Sequence, residues 1–326
     1  MLGRGEQLSL LFDDADDWFS SEESSRIHIE WSHSRREAFE RCPLAYYNRY
    51  YGASSRAAKD EPNKEVLRFM KSLKSRYERA GNILHFIIKN YFDKAQRGDS
   101  SSLDWLRSWA RAVFGRDLEH SRRYPQTNGS NTETYPPVLL MEFYYGFPDA
   151  EKVCSETEER LLAALSNFYS NPAFAPFRAG GGQSDAMVEK MVKLNGQNFT
   201  LTGQVDLAYR SQIDGRIKVV DWKMGVSNSG DDSLQLAFYA MIAVDKYGCS
   251  PDNVDVYRVH LGDGHVAPFT IDEKELRRAK ARIVQDVERM RAMDAYGRGA
   301  MRAAFTPCAQ PRVCALCVFQ RFCPKE

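Results

Sequence analysis

The sequence predicts an α/β protein: a mixed sheet flanked by helices, with a large helical insertion. Three observations carry this. Apolar residues recur three and four apart through the first half of the chain. Near residue 186 the period changes to two. Beyond the hairpin that follows, the pattern runs helix, strand, long charged helix, an order that suits a sheet covered by helices.

Residues 1–27 are rich in Asp, Glu and Ser around one apolar island, Leu8 to Phe12, and read as a mobile acidic tail. A helix is expected from Ser34, where Ser34-Arg35-Arg36-Glu37 has capping-box spacing, to Tyr51. A second covers 64–93, with Ile83, Leu84, Ile87, Ile88 and Tyr91 in its apolar stripe. Residues 94–180 form the helical insertion. Leu103, Leu106, Trp109, Ala110 and Val113 mark one helix, 150–170 another, and 128–131 a loop between them. From Phe199, the residues Phe199, Leu201, Val205, Leu207 and Tyr209 alternate on one strand face. A turn over 212–215 leads to a strand from Ile217 to Lys223. A helix over 233–247, a strand over 254–261 and a helix over 272–295 complete the order.

A formal net charge of +1 excludes a protein that coats nucleic acid through a global basic field, so any such contact needs a local patch. No apolar run approaches the roughly 20 residues of a membrane span. The chain opens on no signal-peptide pattern, and the expectation is a cytoplasmic protein without membrane contact.

The chemistry concentrates on the hairpin. Asp206 falls on the polar side of its strand, and Asp221 and Lys223, two apart, share a face of the next. If the strands pair around Asp214-Gly215, two carboxylates converge with a lysine, an arrangement that is costly without a cation between them. Mg²⁺ suits such a set, since it takes a few carboxylate oxygens and keeps waters. Lys223 would orient or deprotonate an attacking water, or stabilise charge on a phosphate. Gly203 and Gly225 allow close backbone approach on either side. An Asp-x-Lys triplet alone is usually an ordinary exposed strand, and the neighbouring motifs decide otherwise.

Those motifs carry a resemblance. Gly203-Gln204-Val205-Asp206 and Asp221-Trp222-Lys223-Met224-Gly225 resemble the GxxD and D-(aromatic)-K-x-G motifs of RecB/AddB-type nucleases in the PD-(D/E)XK superfamily. Gln235 and Tyr239 match that family's Q-x-x-x-Y helix, and Gly81 to His85 its G-x-x-x-H helix. The resemblance spans about 30–326 and implies a restriction-endonuclease-like core, making 28–326 one nuclease domain. It implies that His85, Asp206 and Asp221 hold Mg²⁺ or Mn²⁺, with the Trp222 carbonyl as a further ligand. Lys223 would be catalytic, and Gln235 and Tyr239 would face DNA or brace the site. Glu189, in Val188-Glu189-Lys190, loosely fits a glutamate the family carries before the GxxD strand.

Four of the seven cysteines crowd the Cys-rich end, 305–326. In a cytosolic chain, Cys314-x-x-Cys317-x5-Cys323 reads as metal ligation but supplies three ligands. Cys308 would complete a compact zinc site. Cys42 is the other candidate: Ser32 to Tyr47 resembles the N-terminal motif of iron–sulfur members of the family, AddB-type nucleases and CRISPR-adaptation exonucleases among them. There one N-terminal and three C-terminal cysteines hold a [4Fe–4S] cluster, and the resemblance implies Cys42, Cys314, Cys317 and Cys323 here. Cys154 and Cys249 read as plain buried thiols.

In the tail, Gln7, Leu8, Leu10 and Phe12 resemble the bacterial sliding-clamp binding peptide, with Leu10 and Phe12 as the apolar anchors. Arg277, Arg278, Lys280, Arg282 and Arg289 alternate with Glu273, Glu275, Asp286 and Glu288, which reads as a solvated helix face, not a DNA track. Trp105 and Trp109 sit at core spacing. The expected activity is metal-dependent hydrolysis of DNA phosphodiesters, as an exonuclease on single strands or ends, in repair or in defence against phage and mobile elements. A helicase partner would be a separate protein. The rival is a catalytically silent DNA-binding or scaffolding protein of the same fold.

Overall fold

The computed structural model describes residues 28–54, 63–124, 136–196, 198–227, 233–293 and 302–323. The clamp-like peptide and the loop expected at 128–131 lie outside them. Six strands make one mixed sheet: β1 (Ile29–Trp31), β2 (Met187–Asn195), β3 (Phe199–Arg210), β4 (Ile217–Lys223), β5 (Val254–His260) and β6 (His265–Phe269). β1 runs parallel to β3, and β4 parallel to β5. The β2–β3, β3–β4 and β5–β6 pairs are antiparallel.

β3 is the strand on which the sheet turns. β2 pairs along nearly its whole length on one side. On the other, β1 takes Phe199 to Leu201 and β4 takes Leu207 to Arg210. The β3 edge between these two partners, which ends at Asp206, is left without a strand.

Among the described residues eleven α-helices flank the sheet, and a core forms on each of its faces. The first lies under α9 (Ser233–Tyr247) and α10 (Glu273–Met293), where Phe238, Leu236, Ile283 and Val287 meet Ile217, Val219 and Val256. It also receives α1 (His33–Arg41) and α2 (Pro43–Tyr47) through Phe39, Leu44 and Tyr46. The second core packs four helices on the opposite face: α4 (Arg76–Ala95), α5 (Leu103–Arg122), α7 (Ala150–Ser170) and α8 (Ala175–Gly181). Their Ile83, Ile87, Phe114, Leu165 and Phe177 close over Leu207, Val220 and Trp222. The helices of 94–180 therefore form the sheet's second covering layer. Trp105 and Trp109 meet edge to face, 4.9 Å between ring centroids, at the margin of this core. The helices α3 (Lys64–Ser72) and α6 (Met141–Tyr144) share a third, smaller cluster through Leu67, Met70 and Met141, with Val318 and Phe319 from the segment that follows α11 (Pro311–Cys314).

The structure corrects several expected boundaries. Ser32, not Ser34, caps α1: its backbone continues the extended β1, and its Oγ accepts from the Arg35 N–H at 3.2 Å. The helix expected to reach Tyr51 breaks at Cys42, because Pro43 holds the preceding residue extended. A π-helical turn over Asn48–Gly52 follows α2. The 64–93 helix divides at Leu73, which is extended, and Ser75 caps α4. β1 and β6 had no sequence signal: one is three residues long, and the other is an edge strand containing Pro268.

The single apolar face expected for β3 is also corrected. Phe199, Leu201 and Val205 enter the first core, while Leu207 and Tyr209 enter the second. The alternation slips at Asp206. Opposite it on β2, Glu189 has a φ of 45° and drops out of the ladder, and the β3–β4 pairing ends at Leu207. Regular pairing fails there on both sides. Gly203, three residues before, is required by packing: a Cβ there would lie 2.6 Å from the Phe238 ring. At Gly225 a Cβ would meet open space, and the crowding comes instead from Gly262, whose own Cβ would press on the Gly225 backbone at 2.9 Å.

α10 matches its expected polar character along most of its length. Arg277 pairs with Glu273 at 2.6 Å, Arg278 with Glu275, and Arg289 with Glu40. Such exposed pairs are worth about 0.2–1 kcal/mol each. Asp286 departs from the pattern, being buried at 2% exposure against Arg36 at 3.0 Å and Arg282 at 3.3 Å. No described helix is long and apolar enough to cross a membrane.

Candidate active site

The seam where β3 and β4 part is lined by acid. Asp206 is buried, and its Oδ2 accepts the Trp222 backbone N–H at 2.8 Å. In a regular ladder that N–H would pair with a β3 carbonyl, so the carboxylate takes the place of the missing strand bond. Asp221 is buried at 1% exposure on β4, one step beyond the last β3–β4 pair. The side chain of Trp222 turns to the other face, among Phe168, Phe174 and Phe177. That indole anchors the strand end that carries Asp221 and Lys223.

α4 brings His85 to the same seam. Its Nδ1 lies 2.6 Å from Glu189 Oε1 and 3.7 Å from Asp206 Oδ1. The positive φ of Glu189, uncommon outside glycine, turns a side chain that is 3% exposed toward the site. Gln204 Nε2 holds its second oxygen at 2.6 Å. His85, Glu189 and Asp206 each offer a ligand atom, all within 4.8 Å of one another, and no other such group of His, Cys, Asp or Glu occurs among the described residues. One imidazole and two carboxylates form a donor set that fits Mg²⁺ or Mn²⁺.

The cationic side is as well defined. Lys223 Nζ lies 3.1 Å from Asp221 Oδ2 and donates to Gln235 Oε1 at 3.0 Å. Gln235 Nε2 in turn meets Tyr239 Oη at 2.9 Å. The pair one helical turn apart on α9 thus runs as a hydrogen-bonded chain leading to the lysine. Tyr239 is buried, and burial, reinforced by Asp206 and Asp221, pushes its hydroxyl well above the usual range, so that it stays neutral while its oxygen accepts from Gln235.

Two side chains here were weakly read or missed in the sequence. Glu189 showed only a loose motif, because its role depends on a backbone twist that residue type does not announce. Arg258 was overlooked. On β5 it is the register partner of Asp221, is 5% exposed, and its Nε reaches Asp221 Oδ2 at 3.3 Å. The available signal was an arginine at an inward position of a strand, four and two residues after the core residues Val254 and Val256.

Burial alone would keep His85 neutral, but Asp206, Glu189 and Asp221 outweigh it and raise its pKa to about 9. Burial raises Asp206 to about 8. Glu189 and Asp221 add to this, and His85 and Lys223 oppose it. Both shifts favour the protonated forms in the metal-free site at neutral pH.

The cysteines gather at a separate place. Leu44 N–H donates to the Thr306 carbonyl at 3.2 Å, and Tyr47 packs on Phe305, joining α2 to the C-terminal segment. Burial raises the Cys42 thiol, opposed by backbone hydrogen bonds from Ala45 and Cys308, while the Cys308 thiol beside it raises it further. Burial likewise raises Cys317 to about 11, with Cys42, Cys314 and Cys323 contributing. Cys308 and Cys314 sulfurs are 3.9 Å apart, yet no three cysteine sulfurs among the described residues lie within 4.8 Å of one another. A cage tight enough for one tetrahedral zinc is therefore not closed there. Cys154 is fully buried, as expected, whereas Cys249 is half-buried.

The profile of the PD-(D/E)XK nuclease superfamily matches residues 30–324, nearly the whole chain. The chain belongs to that superfamily, a nuclease class that uses divalent metals, and the mixed six-stranded sheet between helices is consistent with its fold. None of the curated proteins matches. Among solved structures it is similar to the crystal structure of SSO0001, at 14% identity over 66% of this chain and 95% of that one, with a TM-score of 0.30. A likeness that slight carries no argument.

Because His85 must be neutral and the carboxylates ionised to ligate, metal binding must displace protons. Mn²⁺ binding at pH 7 is expected to release at least about one proton and to weaken as pH falls from 9 to 6. Calorimetry in two buffers of different ionisation enthalpy measures this, and a binding heat independent of buffer would contradict it.

Proposed function

We propose that the protein is a Mg²⁺- or Mn²⁺-dependent deoxyribonuclease acting on single-stranded DNA or DNA ends. The observation that supports it best is the convergence of His85, Glu189 and Asp206 within one ion's reach, beside the buried Asp221 and its Lys223. A bound divalent ion supplies Lewis-acid stabilisation of phosphate charge and a more acidic water.

The protein's own residues do the rest. His85, Asp206, Asp221 and the Trp222 carbonyl would hold the ion, and Glu189, fixed by Gln204, would join them. Lys223 orients the attacking water or neutralises charge on the phosphate oxygen. Gln235 and Tyr239 hold its ammonium in place and preserve one protonated geometry. Water adds to phosphorus, the P–O3′ bond breaks, and a 5′-phosphate remains. Hydrolysis from ends fits a site set deep in a sheet seam beneath α4 and α9, and repair or defence against foreign DNA fits such an activity.

We assign Cys42, Cys314, Cys317 and Cys323 to a [4Fe–4S] cluster. A cubane holds its thiolates farther apart than a single ion does, which suits sulfurs gathered in one neighbourhood without a zinc-sized cage. These ligands would fasten the first helices to the C-terminal segment, so the group is structural and contributes folding energy. In the tail, Gln7, Leu8, Leu10 and Phe12 form a docking peptide for a sliding clamp.

Three measurements test these assignments. With Mn²⁺ and end-labelled single-stranded DNA, Lys223→Ala is expected to cut activity by about 10²–10⁴-fold, leaving circular single strands uncut by either protein. Equal activity of wild type and variant would return the protein to the silent DNA-binding reading. Anaerobically purified protein is expected to be brown, with broad visible absorbance lost in Cys42→Ala together with thermal stability; a colourless protein with stoichiometric zinc would overturn the cluster. In a pull-down with purified bacterial clamp, the double variant Leu10→Ala, Phe12→Ala is expected to lose binding, and equal capture of both proteins removes the docking peptide.

A further inference from the structure

We propose that Arg258 makes loading of the metal depend on the nucleic-acid phosphate, by holding carboxylate charge that an ion would otherwise take for itself. The inference rests on the metal-dependent nuclease reading of the same site.

Arg258 is not a catalytic residue. It stands behind Asp221, opposite it in the β4–β5 register, and reaches the Asp221 Oδ2 that Lys223 also contacts. The two cations differ in freedom. The Lys223 side chain is 33% exposed, whereas that of Arg258 is 6% exposed, with its guanidinium carbon 5.5 Å from the Phe269 ring centroid. Arginine does not lose its proton in proteins, so this is a permanent positive charge built into the floor of the site.

Charge balance follows from those positions. Leaving His85 uncharged, the carboxylates of Glu189, Asp206 and Asp221 face the two cations Lys223 and Arg258, one net negative charge. A divalent ion turns that into one net positive charge in a buried place, which is unfavourable at low effective dielectric. One phosphodiester brings the balance to zero. Without Arg258 the protein groups carry two negative charges, and the ion alone neutralises them. With Arg258 present, ion and phosphate each need the other, a coupling that is reciprocal by linkage.

The test measures free Mn²⁺ by electron paramagnetic resonance in wild type, Arg258→Gln and Arg258→Lys. Each is titrated alone, with a nuclease-resistant phosphorothioate oligonucleotide, and with its uncharged methylphosphonate counterpart. In wild type and Arg258→Lys, the phosphorothioate is expected to tighten Mn²⁺ binding by about tenfold or more, and the methylphosphonate to leave it unchanged. Arg258→Gln is expected to bind Mn²⁺ about tenfold more tightly than wild type without any oligonucleotide, while cleaving DNA more slowly. A purely structural role predicts the opposite, looser metal in the variant, and that outcome overturns the proposal. So does wild-type affinity that ignores the phosphorothioate, which needs no variant to fold. If the wild type cleaves DNA yet shows no coupling, this inference fails and the nuclease reading stands. If it binds no Mn²⁺ under any condition, both fall.

Discussion

Three carboxylates crowded into a buried seam are the constraint around which this protein is arranged. Glu189, Asp206 and Asp221 come from three adjacent strands and are nearly excluded from water. Two such charges about 4 Å apart repel by roughly 4 kcal/mol at an effective dielectric near 20. The fold answers with compensation from every direction: His85 from α4, Lys223 from β4, Arg258 from β5, and the Trp222 backbone N–H.

The sheet supplies the place for that cluster by an interruption. β3 exchanges β1 for β4 as its partner on one side, and between them its edge carries no strand. At the end of the gap Asp206 satisfies a strand N–H with its side chain, and across on β2 Glu189 adopts a positive φ. Backbone strain of this kind persists only where packing holds it. Here the holding is done by the two cores, with Phe238 pressed onto Gly203 from one face and Trp222 sunk among phenylalanines on the other. The helical layers therefore set the geometry of the seam as much as the strands that carry the acids.

Outside the seam the molecule is joined at a second place, where the first helices meet the C-terminal segment through Leu44 on the Thr306 carbonyl and Tyr47 on Phe305. The helices α1, α2 and α10 cover the same face of the sheet as α9 with its Gln235 and Tyr239, so this contact and the lysine's supports share one packed core.

The sequence by itself determined the central order of hairpin, helix, strand and helix and the limits of β4 and α9, and it singled out His85, Asp206, Asp221, Lys223, Gln235 and Tyr239, because periodicity and motif spacing are local properties of the chain. It misplaced the cap at Ser34 and carried helices through Pro43 and Leu73, where local breaks override an apolar stripe. It assigned β3 a single face, since alternation cannot register a slip caused by a neighbouring strand. Only the tertiary structure decided that Glu189 turns inward, that Arg258 stands behind Asp221, and that Cys42 lies beside cysteines more than 260 residues away. Each of those depends on strand register or on contact between distant segments, and no pattern within a single segment encodes where its partner will be.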